Sequence, residues 1–322
     1  MSKSVGENSA EFSNSFNYFI NTYSSSVTPT VYTLVDAKSG KEIKEIKNNL
    51  NLAEKLTDYD LPEKEFTTIK TVNGEFNMWM IKPKNFDLNK KYPLLMFQYS
   101  GPGSQQVVNR WHHPYRHDYW HMMLSQQDYI IVCIDGRGTG FKGRDFKKIT
   151  YKELGKYEIE DQIESAKELG KLGYIDQNRI GIWGWSYGGF MSTLAITKGA
   201  DVFKMAIAVA PVTSWRYYDS VYTERFMQTP QENASGYDDN SPVNFADMLK
   251  GDYLLIHGTG DDNVHVQNSM QMINALVEAN KEFEFFAYPD RTHGISEGLN
   301  TRLHLFKKMT TFIDRSLGDS AE

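Results

Sequence analysis

Residues 180–189 read IGIWGWSYGG, an apolar run that ends in small residues and is followed by a helix-like segment. The motif Gly-x-Ser186-x-Gly therefore lies between a predicted strand, 180–185, and a predicted helix, 188–199. A serine on such a tight turn points its hydroxyl out of the sheet, and small neighbours let the chain pass closely. The alternative is an ordinary turn whose serine caps the helix. A nucleophilic serine needs an acid and then a histidine downstream, whereas a capping serine needs neither.

An acid and a histidine follow Ser186 in that order. One strand-like run leads into Asp261 and Asp262, and the next leads into His293. Because the carboxyl ends of parallel strands meet at one edge of a sheet, we expect these groups to lie beside Ser186. The sequence thus predicts a nucleophile, an orienting acid and a general base, with the acid either Asp261 or Asp262.

Strand-like and helix-like segments alternate from about residue 66 onward. Short apolar runs bounded by glycine and separated by helices are typical of a mostly parallel sheet covered on both faces. We therefore predict an α/β fold. The predicted strands are 92–99, 129–134, 180–185, 205–210, 253–257 and 283–288, and the predicted helices are 157–170, 188–199, 266–279 and 299–316.

The first 50 residues are rich in aromatic and hydroxyl side chains with strand-like spacing. We predict two or three antiparallel strands there, too few to form an independent domain. The sequence thus predicts that residues 1–50 belong to an incomplete sheet and that residues 51–322 form the main domain. The predicted strands cover 12–16, 17–23 and 31–35, and a short helix with its connector covers 48–60.

Charge and hydropathy exclude several classes of partner. The formal net charge is −6, with acidic and basic residues mixed along the chain. We therefore expect neither nucleic acid nor an anionic membrane surface as a partner. All apolar runs are shorter than the roughly 20 residues that span a bilayer, so we expect no membrane span. The first residues contain no hydrophobic segment, and we expect no signal peptide in this chain.

The cysteine and histidine content predicts no metal site. Cys133 is the only cysteine and lies in an apolar run, so neither an intrachain disulfide nor a cysteine-based metal cluster is possible. Four further histidines show no ligand spacing, and we expect no catalytic role for them. They are His112, His113, His257 and His265.

A Gly-x-Gly-x-x-Gly motif at 138–143 follows a predicted strand. A dinucleotide site would need a helix immediately after the motif and an acid at the end of the next strand. The following segment, 144–148, is poorly periodic, and the nearby acids fall within a predicted helix. We therefore predict a glycine-rich loop beside the active site and no nucleotide cofactor.

Four stretches resemble the prolyl oligopeptidase superfamily, and within it the dipeptidyl peptidase IV subfamily. They are WGWSYGG at 183–189, HGTGDDNV at 257–264, DGRG at 135–138 and the tract 209–225. The resemblance implies an α/β-hydrolase fold preceded by a β-propeller, of which the first 50 residues would be the closing strands. It also implies a serine peptidase that needs no cofactor. Such an enzyme cleaves peptides after a penultimate proline or alanine and releases N-terminal dipeptides through an acyl-enzyme on Ser186.

The resemblance also implies roles for individual residues. It makes Asp261 rather than Asp262 the orienting acid, and it places the Tyr99 hydroxyl beside the Tyr187 N–H as oxyanion donors. Asn263 would bind the carbonyl of the penultimate residue. A proline-sized pocket would be formed by Tyr187 together with Val212, Trp215, Tyr218, Tyr222 and Val264.

Trp215, Tyr218 and Tyr222 recur at a spacing of three and four residues, which predicts one face of a helix. A stripe of this kind often packs in a core. Because this one follows a predicted strand at the catalytic edge, its rigid aromatic walls would also suit a flat apolar ring.

Two other functions stay open. One is a carboxylesterase with the same triad and no proline preference; the other is an inactive fragment without the rest of the propeller, which would hold the substrate amine. The resemblance further implies a homodimer through residues 265–280 and 299–316. Full-length members of the superfamily are secreted, periplasmic or at the cell surface, and this sequence does not decide the compartment.

Overall fold

The computed structural model describes residues 4–111 and 117–318. His112 and His113, for which we predicted no catalytic role, lie outside the described residues. Within the described ranges the chain forms two β-sheets, one of four strands and one of eight.

The strands are β1 (Glu7–Phe12), β2 (Tyr18–Ser24), β3 (Val31–Asp36), β4 (Glu42–Lys47), β5 (Lys64–Thr71), β6 (Gly74–Ile81), β7 (Tyr92–Phe97), β8 (Ile130–Asp135), β9 (Ile175–Trp185), β10 (Met205–Val209), β11 (Asp252–Gly258) and β12 (Glu284–Tyr288). The helices are α1 (Leu50–Thr57), α2 (Asp118–Gln126), α3 (Arg144–Lys148), α4 (Lys156–Gly170), α5 (Tyr187–Lys198), α6 (Ser220–Met227), α7 (Ala234–Asp238), α8 (Gln267–Glu278) and α9 (Thr301–Leu317). Short 3-10 helices cover Trp215–Tyr217 and Pro242–Met248. In the described parts of the chain, no helix is long and apolar enough to cross a membrane.

The larger sheet has the strand order β12-β11-β10-β9-β7-β8-β6-β5. Neighbouring strands from β12 to β8 are parallel, and β6 and β5 are antiparallel at one edge. This mixed, mostly parallel sheet confirms the predicted α/β fold.

The strand order reverses next to β7. From β7 the chain continues through α2 into β8, which pairs with one side of β7. Strand β9 then pairs with the other side of β7. A crevice forms at the carboxyl ends of the strands where the order reverses in this way. Tyr99 follows β7 and Ser186 follows β9, so both lie at this reversal.

Side chains alternate between two cores, one on each face of the larger sheet. On β7, Leu94 and Met96 pack in one core with residues of α4 and α5, whereas Leu95 packs in the other with residues of α2 and α9. Burying a leucine side chain stabilises the fold by ~1.5–3 kcal/mol relative to leaving it exposed. Burial on both faces explains why β7 is a continuous apolar run, and it gives the carboxyl edge a rigid base.

Apart from one helix through Trp215 and Tyr222, the predicted elements of the main domain are all present, with one extension and one correction. Strand β9 begins at Ile175 rather than at residue 180. The segment 144–148, which we predicted to lack a helix, forms α3. A helix this short makes fewer than two turns and therefore shows no apolar period.

The smaller sheet is antiparallel, in the order β1-β2-β3-β4. The prediction of a strand over 12–16 is wrong, because Ser13 and Phe16 lie in the turn between β1 and β2. Strands β1 and β4 were not predicted. Their compositions, ENSAEF and EIKEIK, are too polar to show the pattern of a half-buried strand.

The segment that follows β7 joins the two sheets. Asn109 accepts two hydrogen bonds from the smaller sheet and its turn, one from Glu7 N to its carbonyl at 3.0 Å and one from Ser26 N to its Oδ1 at 2.8 Å. Trp111 N donates to Ser24 Oγ at 3.2 Å. The loop that begins beside Tyr99 therefore also carries the contact between the two sheets.

Candidate active site

Ser186 occupies the turn between β9 and α5 with a backbone φ of 61° and ψ of −118°. Positive φ is strained for a residue other than glycine and persists only where the surroundings enforce it. Here, a β-carbon at Gly184 would overlap Gly188 O, and one at Gly188 would overlap the Gln98 carbonyl. Within the described part of α5, the Ser186 side chain makes no capping hydrogen bond, so it does not behave as a simple helix cap.

His293 follows β12 and reaches the same edge of the sheet as Ser186. Its Nδ1 donates to Asp261 Oδ2 at 2.7 Å, and its carbonyl accepts from Trp185 Nε1 at 2.9 Å. The Asp261 side chain is fully buried, whereas Asp262 is exposed. Because Asp261 occupies Nδ1, the other ring nitrogen of His293 is left to exchange a proton.

The Asp261 carboxylate accepts several hydrogen bonds. Its Oδ1 accepts from Asn263 N at 3.0 Å and from Val264 N at 2.9 Å, and its Oδ2 lies 3.2 Å from His257 Nε2. Burial alone raises the pKa of Asp261. The hydrogen bonds from His257, His293 and Asn263 N, with the charge of His293, outweigh burial and hold that pKa well below its ordinary value. The acid therefore stays ionised across the neutral pH range.

His257 is a contact of the acid that the sequence analysis missed. It lies fully buried on β11, with Nδ1 2.6 Å from Ser269 Oγ and Nε2 2.8 Å from Val264 O. Both partners of Nε2, the Val264 carbonyl and Asp261, are acceptors, so Nε2 carries a hydrogen. The sequence feature that could have predicted this contact is a histidine inside an apolar strand, four residues before Asp261.

Two hydrogen-bond donors lie beside Ser186. Burial raises the pKa of Tyr99, and a hydrogen-bonding interaction with Ser186 opposes that rise, so the phenol stays protonated at neutral pH. Gly101 leaves space for the ring, since a β-carbon there would lie 2.6 Å from Tyr99 Cε1. Tyr187 is the first residue of α5, and its N–H belongs to the first turn, where a helix offers no acceptor.

An aromatic cluster lies against Tyr187. The ring centroids of Tyr187 and Trp215 are 5.3 Å apart, those of Trp215 and Tyr222 are 5.9 Å apart, and those of Tyr218 and Tyr222 are 5.4 Å apart. Val212 is buried in the same core. We call these five residues the aromatic pocket.

The prediction of one helix through the aromatic pocket is wrong. The 3-10 helix Trp215–Tyr217 ends at Tyr218, which is extended with φ of −109° and ψ of 163°. Asp219 then caps α6, its side chain accepting from Tyr222 N at 2.7 Å. An N-cap residue takes extended backbone, so it ends one helical turn and starts another. The rings of Tyr218 and Tyr222 still pack against each other across this cap.

The two remaining predicted substrate-binding residues differ in exposure. Asn263 is exposed beside the aromatic pocket, and its Oδ1 accepts from Tyr218 OH at 2.9 Å. Val264 is fully buried in the core that contains the aromatic pocket. The structure therefore brings both residues to this region, one at its surface and one beneath it.

A cavity of about 550 Å³ is lined by Ser186, Tyr99 and His293. Among the residues that the structure describes, none of the aromatic pocket lines this cavity. This cavity was not predicted, because its walls come from segments that lie far apart along the chain. They include Trp79, Phe97, Arg110, Trp111, Trp185 and Arg302.

The glycine-rich loop lies next to the segment after Tyr99. Gly103 N donates to Gly138 O and Gly140 N donates to Ser104 O, both at 2.8 Å. Over residues 4–111 and 117–318, no group of three or more His, Cys, Asp or Glu side chains lies where it could hold a metal ion.

The fold and this edge of the sheet together define a class. An α/β fold with a serine on a strained strand-to-helix turn, followed along the chain by an acid and a histidine, fits the α/β-hydrolases. Comparison with known families is more specific. The prolyl oligopeptidase family matches residues 115–320, and the chain belongs to that family.

Individual relatives agree with this family. Prolyl endopeptidase FAP of Bos taurus is 43% identical over 296 residues, which cover 90% of this chain and 38% of the relative. Dipeptidyl peptidase 4 of Sus scrofa is 40% identical over 308 residues, 95% of this chain and 39% of the relative. The crystal structure of Porphyromonas gingivalis dipeptidyl peptidase 4 has a TM-score of 0.95 and 48% identity over 98% of this chain and 44% of that chain. The chain thus spans about two fifths of the length of these relatives.

Proposed function

We propose that the chain is the catalytic part of a serine peptidase that cleaves peptides after a penultimate proline or alanine and releases N-terminal dipeptides. The observation that carries the proposal is the hydrogen bond between His293 and the buried Asp261, beside a serine on a strained turn. Two of the relatives are named dipeptidyl peptidase 4, which supports the dipeptide as the released unit.

The proposed reaction is acyl transfer in two steps. Ser186 Oγ attacks the peptide carbonyl while His293 Nε2 takes the hydroxyl proton and then passes it to the leaving amine. Asp261 keeps the His293 Nδ1–H in place and stabilises the imidazolium. Water then cleaves the ester by the same proton transfers in reverse order. The Tyr99 hydroxyl and the Tyr187 N–H donate to the oxyanion, and each such donor contributes ~2.7–4 kcal/mol.

The aromatic pocket supports the preference for proline. A pyrrolidine ring is apolar and nearly flat, and it gains most from rigid apolar walls. Alanine would enter the same space with less contact area, and large branched side chains would clash with the rings. Because Tyr218 OH occupies Asn263 Oδ1, the amide nitrogen of Asn263 is the group left to donate to the carbonyl of the penultimate residue.

We also propose the domain division. Residues 1–50 would be the closing strands of an incomplete β-propeller, and residues 51–322 would be the α/β-hydrolase domain. Propeller blades are four-stranded antiparallel sheets, as the smaller sheet is. Its strand β4 is exposed along its whole length, and the relatives are long enough to supply further blades.

The proposed homodimer would use the faces of α8 and α9, within residues 265–280 and 299–316. Large apolar side chains are exposed there: Met270 at 41%, Val277 at 64% and Leu303 at 54%. Clusters of exposed apolar side chains are typical of interaction surfaces.

A fluorophosphonate probe tests the proposed nucleophile. We expect one covalent adduct on Ser186, no adduct in Ser186→Ala, and full labelling in the control Ser235→Ala, whose serine is exposed on α7. Peptide mapping locates the adduct. An intact chain without any adduct would show that the triad is not assembled and would support the inactive fragment.

Substrate rates then separate the peptidase from the carboxylesterase. We expect X-Pro-anilides to be hydrolysed faster than X-Leu-anilides, because the pyrrolidine ring fits the aromatic pocket and the larger branched leucine side chain does not. Rapid hydrolysis of short acyl esters together with no discrimination between the anilides would favour the carboxylesterase.

A further inference from the structure

Glu158 is a buried carboxyl group to which the proposed mechanism assigns no role. It lies in the first turn of α4 and is 1% exposed. Its Oε2 accepts from Gly155 N at 3.0 Å, which is the ordinary reciprocal bond of a capping box. Its Oε1 is 2.7 Å from the Tyr187 hydroxyl, which donates to it, and helix capping does not account for this second bond.

Tyr187 links Glu158 to the reacting centre in two ways. Its N–H is a proposed oxyanion donor, and its ring forms a wall of the aromatic pocket. The ring centroid lies 5.3 Å from that of Trp215 and 6.0 Å from that of Tyr99. The bond to Glu158 anchors the far end of the same side chain, so it fixes the ring between its neighbours.

We propose that Glu158 is a positioning residue: its carboxyl group holds Tyr187 in the orientation that serves both the oxyanion and the substrate pocket. The inference rests on the proposed acyl transfer at Ser186. Glu158 is not a catalytic residue in this scheme, because it acts only through Tyr187.

The protonation state of Glu158 decides how this anchor works. The ionisable groups that act on it are Tyr187 on α5, Tyr222 on α6 and Asp161 on its own helix, and Asp161 is paired with Arg137. Burial raises the pKa of Glu158 to about 8, although the hydrogen bonds from Tyr187 and Gly155 N oppose that rise. At neutral pH the carboxyl group therefore carries a proton, and its Oε1 still accepts from the Tyr187 hydroxyl.

Ionisation of Glu158 at alkaline pH works against the reaction. It places a buried negative charge next to Tyr187 and Tyr222, in the cluster that faces the developing oxyanion. Ionisation of Glu158 also lowers the stability of the fold. The folded-state pKa of about 8 exceeds the ordinary 4.5, so the contribution to the free energy of unfolding is complete below pH 4.5 and is lost as the pH rises through about 8.

The rate of fluorophosphonate labelling at Ser186, measured from about pH 6 to about pH 10, tests the proposal. The probe has no ionisable amine, so its own titration does not shape the profile. We expect the wild-type rate to decline above about pH 8. In Glu158→Gln the amide can donate to Tyr187 and accept from Gly155, so the neutral rate should stay within about threefold and the decline should move up by about one pH unit or more.

Two further variants separate positioning from a general structural effect. Tyr187→Phe keeps the ring and removes the bond, and we expect a loss of about tenfold in the neutral labelling rate. In that background Glu158→Gln should then change the neutral rate by less than about twofold. Glu168→Gln, at the other end of α4 and paired on the surface with Lys171, is the control and should keep the wild-type profile.

An alkaline decline that is identical in wild type and Glu158→Gln would overturn the proposal, as would a loss of more than about twofold when Glu158→Gln is added to Tyr187→Phe. Absence of any labelling in the wild type would instead mean that the proposed function has failed. The melting temperature across the same pH range would still report the buried ionisation. Equal curves for wild type and Glu158→Gln would then rule out the protonated anchor.

Discussion

The two sheets of this molecule bury their strands in very different ways. Every residue of β8 and of β10 is buried between cores on the two faces of the larger sheet, whereas every residue of β4 in the smaller sheet is exposed. Large apolar side chains such as Phe16, Ile43 and Ile46 also stay exposed on the smaller sheet and its turns. The larger sheet therefore supplies its own core and a rigid edge for chemistry, and the smaller sheet does not.

The contact between the sheets includes several polar interactions. It runs through Asn109 and Trp111, in the loop after β7. The same loop is fixed to the larger sheet by Asp135, whose carboxylate accepts from Gln106 N and Val107 N at 2.9 Å and 2.8 Å. Changes on the larger sheet should therefore alter catalysis or global stability, and changes at the contact should have only local effects.

We expect the largest effect from Asp261→Asn, which changes the proposed orienting acid at the carboxyl edge of the larger sheet and should lower kcat. The two N–H groups on Oδ1 keep the amide oxygen in place, so the amide nitrogen faces His293. His293 Nδ1 must then accept, its proton moves to Nε2, and the ring no longer takes the serine proton. We expect kcat to fall by roughly 10⁴-fold with the fold retained, as measured by anilide hydrolysis and circular dichroism.

Asp262→Asn is the matched control, since its carboxylate is exposed next to the buried one. Its kcat should stay within about twofold of wild type, because surface substitutions away from special contacts have small effects. A loss in Asp262→Asn as large as that in Asp261→Asn would contradict the assignment of the acid.

The larger sheet was predictable because its signals are local. Each of its parallel strands contains a short apolar run that ends in a turn signal, and the order of Ser186, an acid and His293 then assigns them to one edge. Residue spacing alone did not decide whether Asp261 or Asp262 is the orienting acid. Burial separates them, and burial depends on the path of the loop and not on the order of residues.

The features that were not predicted depend mostly on contacts between residues that lie far apart along the chain, or on strands with little burial. Glu158 and Tyr187 are 29 residues apart, and neither residue predicts their bond. The cap at Asp219 broke the predicted helix of the aromatic pocket because a single side-chain hydrogen bond outweighed a regular spacing. In the smaller sheet, β1 and β4 were missed since strands with little burial have no apolar period to detect.

The next largest effect is expected when a buried isoleucine of the larger sheet is replaced by alanine. The same change at an exposed isoleucine of the smaller sheet tests the difference in burial between the two sheets. Ile131 on β8 is fully buried, and Ile46 on β4 is 50% exposed. We expect Ile131→Ala to lower the free energy of unfolding by ~2–5 kcal/mol through lost burial and the cavity that remains. Ile46→Ala should change it by less than ~0.5 kcal/mol. Denaturant unfolding followed by tryptophan fluorescence measures both, and similar losses would mean that the smaller sheet has a core of its own.

The smallest effect is expected at the contact between the sheets, in Asn109→Ala. This change removes the acceptor of Ser26 N and leaves the backbone bond from Glu7 N in place. One lost hydrogen bond is worth ~1 kcal/mol, so amide exchange at Ser26 should accelerate by about fivefold. The midpoint of global unfolding and the labelling rate of Ser186 should not change, because Asp135 holds the rest of the loop. Asn109→Asp keeps the acceptor and should retain slow exchange. A drop in the global unfolding midpoint in Asn109→Ala would show instead that the two sheets unfold as one unit.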